Sequence, residues 1–430
     1  MATTLAAAPS HRTHVGPMLI IGMLFFIFGF VTWLNGPLIT FVKLAFQVPD
    51  AYAFLVPFAF YISYLVFSLP ASLLLRRTGM KKGMALGLFV MAIGAVLFAQ
   101  FGSLRVFAGA LSGLFVIGAG LSLLQTASNP YISILGPIET GARRIAFMGI
   151  CNKLAGILAP LLIGTFVLNG IGDLDQQVKA ADPATRNQLL DVFAAKIHAP
   201  YLLMAGVLVL LAVWIARSSL PDIEAASANR TPARASDAGL QRGLRHFPHL
   251  WLGVLCLFLY VGVEVMAGDA IGTYGASFHL PLDQTKFFTA FTLAAMLLGY
   301  VAGLLLIPRL VSQQRYLAIS AVLGVLFSIG AYLTSGYVSV GFVASLGFAN
   351  AMMWPAIFPL AIRGLGALTE RGSALLVMAI AGGAVVPQLF AHLKLHIDFQ
   401  LAFALLMIPC YLYILFYGLR GHRVGQGAAV

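Results

Sequence analysis

The chain has 430 residues, of which 60% are hydrophobic and 9% are charged. A soluble domain carries roughly 25% charged residues, so no soluble fold of this length hides that much apolar surface. The formal net charge of +12 does not indicate a nucleic-acid partner, because the basic residues are scattered among short loops and form no basic domain.

A helix of about 20 apolar residues crosses a bilayer, whereas barrel strands would alternate and be half as long. On that scale the chain predicts an all-α membrane protein with twelve transmembrane helices in the lipid bilayer. They fall at 17–42, 52–75, 83–101, 106–135, 145–168, 199–217, 250–278, 287–307, 316–334, 337–362, 373–393 and 399–418. Met1 to Gly16 carries no cleavable-signal pattern, so the first span is expected to act as its own insertion signal. That span contains Thr32-Trp33-Leu34-Asn35-Gly36-Pro37. Gly36-Pro37 predicts a break at membrane depth, with Asn35 beside unpaired backbone.

The fourth span carries Gln125 and Asn129, four apart and so on one helix face, with Ser122 and Ser133 extending the stripe. Side-chain amides offer both donors and acceptors, which suits a neutral, hydroxyl-rich ligand. The same amides also act as glue between packed membrane helices. Pro130 removes one backbone hydrogen bond and predicts a kink, its freed carbonyl near residue 126 facing either a ligand or the Thr126 hydroxyl.

The fifth span holds Asn152-Lys153 at mid-depth. A charge there costs at least about 2.5–3.5 kcal/mol. Lys153 is too deep to reach the interface easily, so an acidic partner is expected. Beyond this span, 169–198 is polar, mixed in charge and long for a loop. Residues 218–246 are rich in Ala, Ser and Arg and read as a flexible linker. They divide the chain into a six-helix N-terminal half, 1–217, and a six-helix C-terminal half, 247–430.

The seventh span contains Glu264 and Asp269. Five residues turn an ideal helix by about 140°, so the acids share no face on a regular helix. Gly262, Gly268 and Gly272 make irregularity expected there. One acid is expected to pair with Lys153 and the other to stay free for a proton or metal cation; a wholly structural pair is the alternative. In the tenth span Asn350 and Trp354 share a face, and an indole stacks well on the apolar face of a sugar. Trp251, at a span start, reads as an interfacial anchor. Gln388 and His392 lie four apart in the eleventh span, with His392 near the membrane exit. Cys151, Cys256 and Cys410 fall inside apolar spans and read as small hydrophobes.

Placing the termini and linker on one side gathers Arg76-Arg77, Lys81-Lys82, Arg143-Arg144 and the linker arginines there. The opposite side receives only Lys43, Arg105, Lys179, Arg186, Lys196, Lys286 and Lys394. The positive-inside rule then places both termini in the cytoplasm. A weak internal repeat supports two halves. Setting Pro130 on Pro355 aligns Gln125 with Asn350, and Gly156–Pro160 matches Gly383–Pro387. Related six-helix halves are typical of secondary transporters, with the substrate at the midplane. The chain shows no nucleophile elbow, phosphate-binding glycine loop or paired metal-ligand motif, so no enzyme activity, cofactor or metal is expected.

At these residues the chain resembles the fucose:proton symporter family of the major facilitator superfamily. The resemblance rests on Leu124–Tyr131 continuing through Gly136-Pro137, on Phe25–Phe30 with Leu34-Asn35-Gly36, and on Trp354–Phe358 with Gly364–Gly366. It covers nearly the whole chain and implies a twelve-helix fold that moves a monosaccharide by alternating access. The fucose symporters carry an aspartate where this chain has Gly36 and a glutamate where it has Gln125. Those are their functional carboxylates, so their proton pathway does not transfer. Asn152–Gly156 together with Glu264–Asp269 is similar to the branch that includes glucose/galactose and N-acetylglucosamine transporters.

The expectation is therefore import of a neutral hexose or N-acetylhexosamine across a bacterial inner membrane, coupled to a proton in preference to Na+, with a monomer sufficient. Na+ symport or uniport of the same sugars is the alternative, and a sugar-sensing receptor or membrane-embedded enzyme the alternative of another class. The expected substrate contacts are Asn35, Gln125, Asn129, Asn152, Asn350, Trp354 and Gln388. Lys153, Glu264 and Asp269 form the expected charge network.

Overall fold

A computed structural model describes residues 15–134, 141–218, 220, 243–307 and 310–425. Among these residues, twelve helices are long and apolar enough to cross a membrane. Spans 1 to 6 are Met18–Ala45, Asp50–Thr78, Met80–Ser103, Phe107–Asn129, Arg144–Phe166 and Pro183–Arg217. Spans 7 to 12 are Pro248–Gly268, Leu282–Leu306, Gln313–Leu333, Gly336–Ile362, Arg371–Leu393 and Phe399–Leu419.

Lipid is as apolar as leucine, so membrane helices associate by close backbone approach at small residues. Spans 3 and 4 show this. A Cβ on Gly87 would lie 2.8 Å from the Gly120 carbonyl oxygen, and one on Gly120 would lie 2.5 Å from that of Gly87. Large apolar side chains such as Leu203, Leu210 and Leu305 instead point outward, towards the surface a bilayer would cover.

Several spans are interrupted. Span 1 is helical over Val15–Thr32 and again over Asn35–Ala45. The break falls at Trp33-Leu34, just before the expected Gly36-Pro37. Pro37 sits in the first turn of the second segment, where its missing N–H breaks no helical bond. The Asn35 amide donates to the Thr32 carbonyl at 3.0 Å, closing a backbone group freed by the break.

Span 7 stops at Gly268 and resumes as Ile271–Ser277, leaving Asp269-Ala270 at the interruption. The Ala270 N–H reaches back five residues to the Val265 carbonyl at 3.3 Å, a locally widened turn. The carbonyls of Ala267 and Gly268 are taken up by span 8: Thr292 donates to the first at 2.7 Å and Thr289 to the second at 2.8 Å. The irregularity expected from the glycines is thus present, with its backbone groups satisfied.

Span 10, expected as one helix, is divided into Gly336–Asn350 and Met353–Ile362. Gln313 donates to the Pro355 and Ala356 carbonyls at 3.2 and 2.8 Å. Span 11 passes through a tighter helical turn at Ala379–Ala381. Span 4 is helical from Phe107 to Ile134, with Pro130 inside the helix. The Thr126 hydroxyl donates to the Ser122 carbonyl at 2.7 Å, and so does not close a carbonyl at residue 126.

The stretch 169–198, expected as a loop, contains two helices, Ile171–Ala180 and Pro183–Ala195. Asp182 caps the second, accepting from the Ala184 and Thr185 amides at 3.0 and 3.2 Å, with Pro183 at the first helical position. Most of the 218–246 linker lies outside the described residues, as do Gly136 and Pro137; the linker's end forms a short helical turn at Leu244–His246.

Candidate functional site

A cavity lies between the first six spans and the last six. Spans 1, 2, 4 and 5 contribute Trp33, Tyr61, Tyr64, Gln125, Asn129, Asn152 and Lys153, among others. Spans 7, 8 and 10 contribute Tyr260, Glu264, Tyr300 and Trp354. The wall is therefore aromatic, with a few amides and one ion pair.

That ion pair joins the two sets of spans. The Lys153 ammonium donates to Glu264 Oε1 at 2.9 Å, with the two side chains only 7% and 13% exposed. The same ammonium lies 4.2 Å from the centroid of the Trp33 ring. A cation over an indole face adds about 0.5–2 kcal/mol. The Trp33 N–H donates to Asn152 Oδ1 at 3.3 Å, and the Asn152 amide donates to the Phe25 carbonyl at 3.5 Å. Two glycines make room for the indole. A Cβ on Gly156 would lie 2.5 Å from Trp33 Cδ1, and one on Gly268 would lie 2.3 Å from Cζ3.

Asp269 has different surroundings. It sits at the break in span 7, is 1% exposed and does not line the cavity. The Tyr61 hydroxyl donates to its Oδ2 at 3.4 Å, while Oδ1 has no hydrogen-bond partner. The break separates the two acids: one is held by Lys153, and the other is buried behind the cavity wall.

The remaining expected residues divide in the same way. Gln125, Asn129, Asn152 and Trp354 line the cavity. The Gln125 amide donates to the Tyr64 hydroxyl at 3.0 Å, and Trp354 stacks on Phe358 at 5.8 Å between centroids. Asn35, Asn350 and Gln388 are off the wall. Asn35 closes the span 1 break, as described. Asn350 accepts from the Tyr411 hydroxyl at 2.8 Å, leaving its buried Nδ2 without a partner. Gln388 donates to the Ala51 carbonyl at 3.0 Å, tying span 11 to the start of span 2.

Ser122 meets Ser68 at 3.1 Å inside the span 2–span 4 contact and leaves the expected stripe; the side chain of Ser133 lies outside the described residues. His392 is exposed, its Nδ1 2.8 Å from the Gln388 carbonyl. Sequence reasoning passed over the cavity tyrosines Tyr61, Tyr64, Tyr260 and Tyr300. Tyr61 and Tyr64, three apart on one face of an apolar span, were the available signal. Among the described residues no group of three or more His, Cys, Asp or Glu side chains is placed to hold a metal ion.

The family model of the Major Facilitator Superfamily matches residues 21–387. The chain belongs to the Major Facilitator Superfamily. This superfamily member is 35% identical over 408 residues to the glucose/galactose transporter of Brucella abortus biovar 1 (strain 9-941), a match covering 93% of each chain. It is 27% identical over 383 residues to the L-fucose-proton symporter of Escherichia coli (strain K12), covering 88% of this chain and 87% of that one. The crystal structure of the superfamily transporter FucP in the outward conformation matches with a TM-score of 0.74 at 25% identity, covering 95% of this chain and 99% of that one. The inward-open xylose transporter XylE from E. coli matches with a TM-score of 0.67 at 13% identity, covering 93% and 95%, and shows the fold alone. Its twelve spans and its family make the protein an integral membrane protein, and the resemblance carried by the span 1, 4 and 10 motifs is confirmed.

Proposed function

We propose that the protein is a secondary transporter that imports a neutral monosaccharide together with a proton by alternating access of two six-span halves. Glucose and galactose are the first candidates, because the glucose/galactose transporter of Brucella abortus is 35% identical over nearly the whole chain. N-acetylglucosamine is a third candidate, needing one more donor and a small apolar slot. The cavity wall supports a sugar: aromatic faces stack on its C–H surface, while Gln125, Asn129 and Asn152 offer uncharged donors and acceptors to its hydroxyls.

The observation that carries proton coupling is the unequal treatment of the two span 7 acids. Lys153 places its ammonium against Glu264, where a metal cation would otherwise sit. Asp269 is buried with one oxygen unpartnered and no cation bonded to it. An ionised carboxylate withdrawn from water without a cation is costly, so this acid is suited to bind and release a proton as the cavity opens and closes.

The test is uptake of labelled glucose, galactose and N-acetylglucosamine into proteoliposomes. A pH gradient, acid outside, is expected to drive accumulation of at least one sugar, and a Na+ gradient alone is expected to drive none. Accumulation with Na+ alone would overturn the proton reading. Equilibration indifferent to both gradients would mean uniport, and no uptake of any sugar would overturn sugar transport.

A further inference from the structure

Asp269 does not line the cavity, so a proton bound there needs an intermediary to affect a sugar bound in it. Tyr61 has the required position. It lines the cavity, and its hydroxyl donates to Asp269 Oδ2 at 3.4 Å across the boundary between the two sets of spans. Its ring is held in place. Gly383 of span 11 has room for no side chain there, since a Cβ would lie 3.0 Å from Tyr61 Cγ. Phe60 packs edge-on at 5.0 Å and Tyr64 stacks at 6.5 Å between centroids.

We propose that Tyr61 is the coupling residue of the transporter, a hydroxyl that passes the protonation state of Asp269 to the bound sugar by reversing its hydrogen bond. The proposal rests on the proton-symport reading above. When Asp269 is ionised it can only accept, so the Tyr61 hydrogen is committed to it. When Asp269 takes up a proton it gains an O–H donor, which points to the phenol oxygen. The Tyr61 hydrogen is then released to donate into the cavity, to a sugar hydroxyl. No covalent bond is made beyond the O–H on Asp269, and the proton leaves by the reverse step. Sugar therefore binds better to the protonated protein, and by reciprocity the proton binds better to the sugar-loaded protein.

The other groups acting on this pair are few. Tyr64 lies on the same span as Tyr61, Glu264 comes from span 7 and Lys153 from span 5; Asn35 and the Gly36 backbone of span 1 are uncharged. Glu264 and Lys153 neutralise each other at 2.9 Å, so Asp269 is the group left to titrate with the sugar.

The experiment uses the full-length protein in proteoliposomes with D-glucose and D-galactose as probes. Wild-type affinity is expected to fall from acid to alkaline pH by about fivefold or more, the usual size of a coupling between two sites. Tyr61→Phe keeps the ring and removes the relay oxygen. It should still exchange sugar in counterflow, at reduced affinity. Its affinity should no longer change with pH, and accumulation driven by a pH gradient should be lost. Asp269→Asn should show the same loss of pH dependence with Tyr61 intact, and serves if Tyr61→Phe folds poorly. A Tyr61→Phe protein that retains wild-type pH dependence while Asp269→Asn loses it would overturn the role of Tyr61. A wild type whose affinity ignores pH and whose uptake ignores a pH gradient would overturn the symport reading itself.

Discussion

Lys153 and Glu264 hold each other in a place where neither would be stable alone. Breaking a buried pair leaves an uncompensated charge and typically costs about 3–5 kcal/mol, whereas replacing both partners by neutral groups is often nearly neutral. Lys153→Met is therefore expected to lower the thermal-unfolding midpoint sharply, and Lys153→Met with Glu264→Gln should recover most of that loss without recovering gradient-driven uptake. Equal destabilisation in the single and double variants would show that the pair is not the source of the effect. The amides call for a separate comparison. Gln125 stands on the cavity wall beside Tyr64, so Gln125→Ala should weaken sugar binding by about two- to tenfold, the range of one hydrogen bond. Asn350 is engaged by Tyr411 away from the wall, so Asn350→Ala should lower stability and leave affinity unchanged. The chemistry and depth of both amides are legible in the sequence. Which way each faces is not, because the Pro130–Pro355 correspondence aligns positions along a helix, while facing depends on how a broken span 10 rotates against its neighbours.

At the scale of elements, the interrupted spans 1 and 7 meet at Trp33 and Gly268. The indole occupies the space that a side chain at Gly268 would need, and the same ring carries the Lys153 ammonium 4.2 Å from its centroid. Gly268→Ala is thus expected to displace Trp33 and abolish uptake, and adding Trp33→Phe, a smaller ring, should restore part of the folding stability. Wild-type uptake by Gly268→Ala would show that the seat is not tight. Twelve spans could be read from hydropathy, because hydropathy counts apolar residues. Backbone breaks leave a trace only where glycine or proline stands near them. Gly268 marked the break in span 7, and Gly36-Pro37 marked that in span 1 slightly late. In span 10 the interruption falls at Ala351-Met352, two good helix formers, and Pro355, third in the segment that follows, marks it as late as Pro37 does in span 1. Of the helices Ile171–Ala180 and Pro183–Ala195, the second was announced, since Asp182-Pro183 is a start signal, but low hydropathy concealed both.

On the scale of the whole molecule, the polar bonds described between the two sets of spans sit at the cavity or at one end of the bundle. At that end Asp50 pairs with Lys43 at 2.5 Å within the first set and with Lys394 of the second. Gln388 holds the Ala51 carbonyl alongside. On the other side of the mouth Lys286 donates to the Leu168 carbonyl and to Asp283 at 2.9 Å each, and Asp283 accepts from the Gly172 amide at 3.1 Å. With both termini in the cytoplasm, as the positive-inside distribution leads us to propose, this end faces the exterior and the conformation is one in which the outer mouth is latched. A sugar entering from outside requires Lys394 to part from Asp50. Asp50→Asn should therefore move the population towards the outward-open form. A partly exposed pair is worth up to about 1 kcal/mol, which corresponds to about a fivefold shift. A cysteine placed on the cavity wall by Thr32→Cys reads that shift. With Asp50→Asn, a membrane-impermeant thiol reagent applied outside should label it about fivefold faster, and the same reagent applied inside should label it more slowly. Opposite changes on the two sides are what distinguish a shifted equilibrium from a loosened protein, in which both rates would rise together.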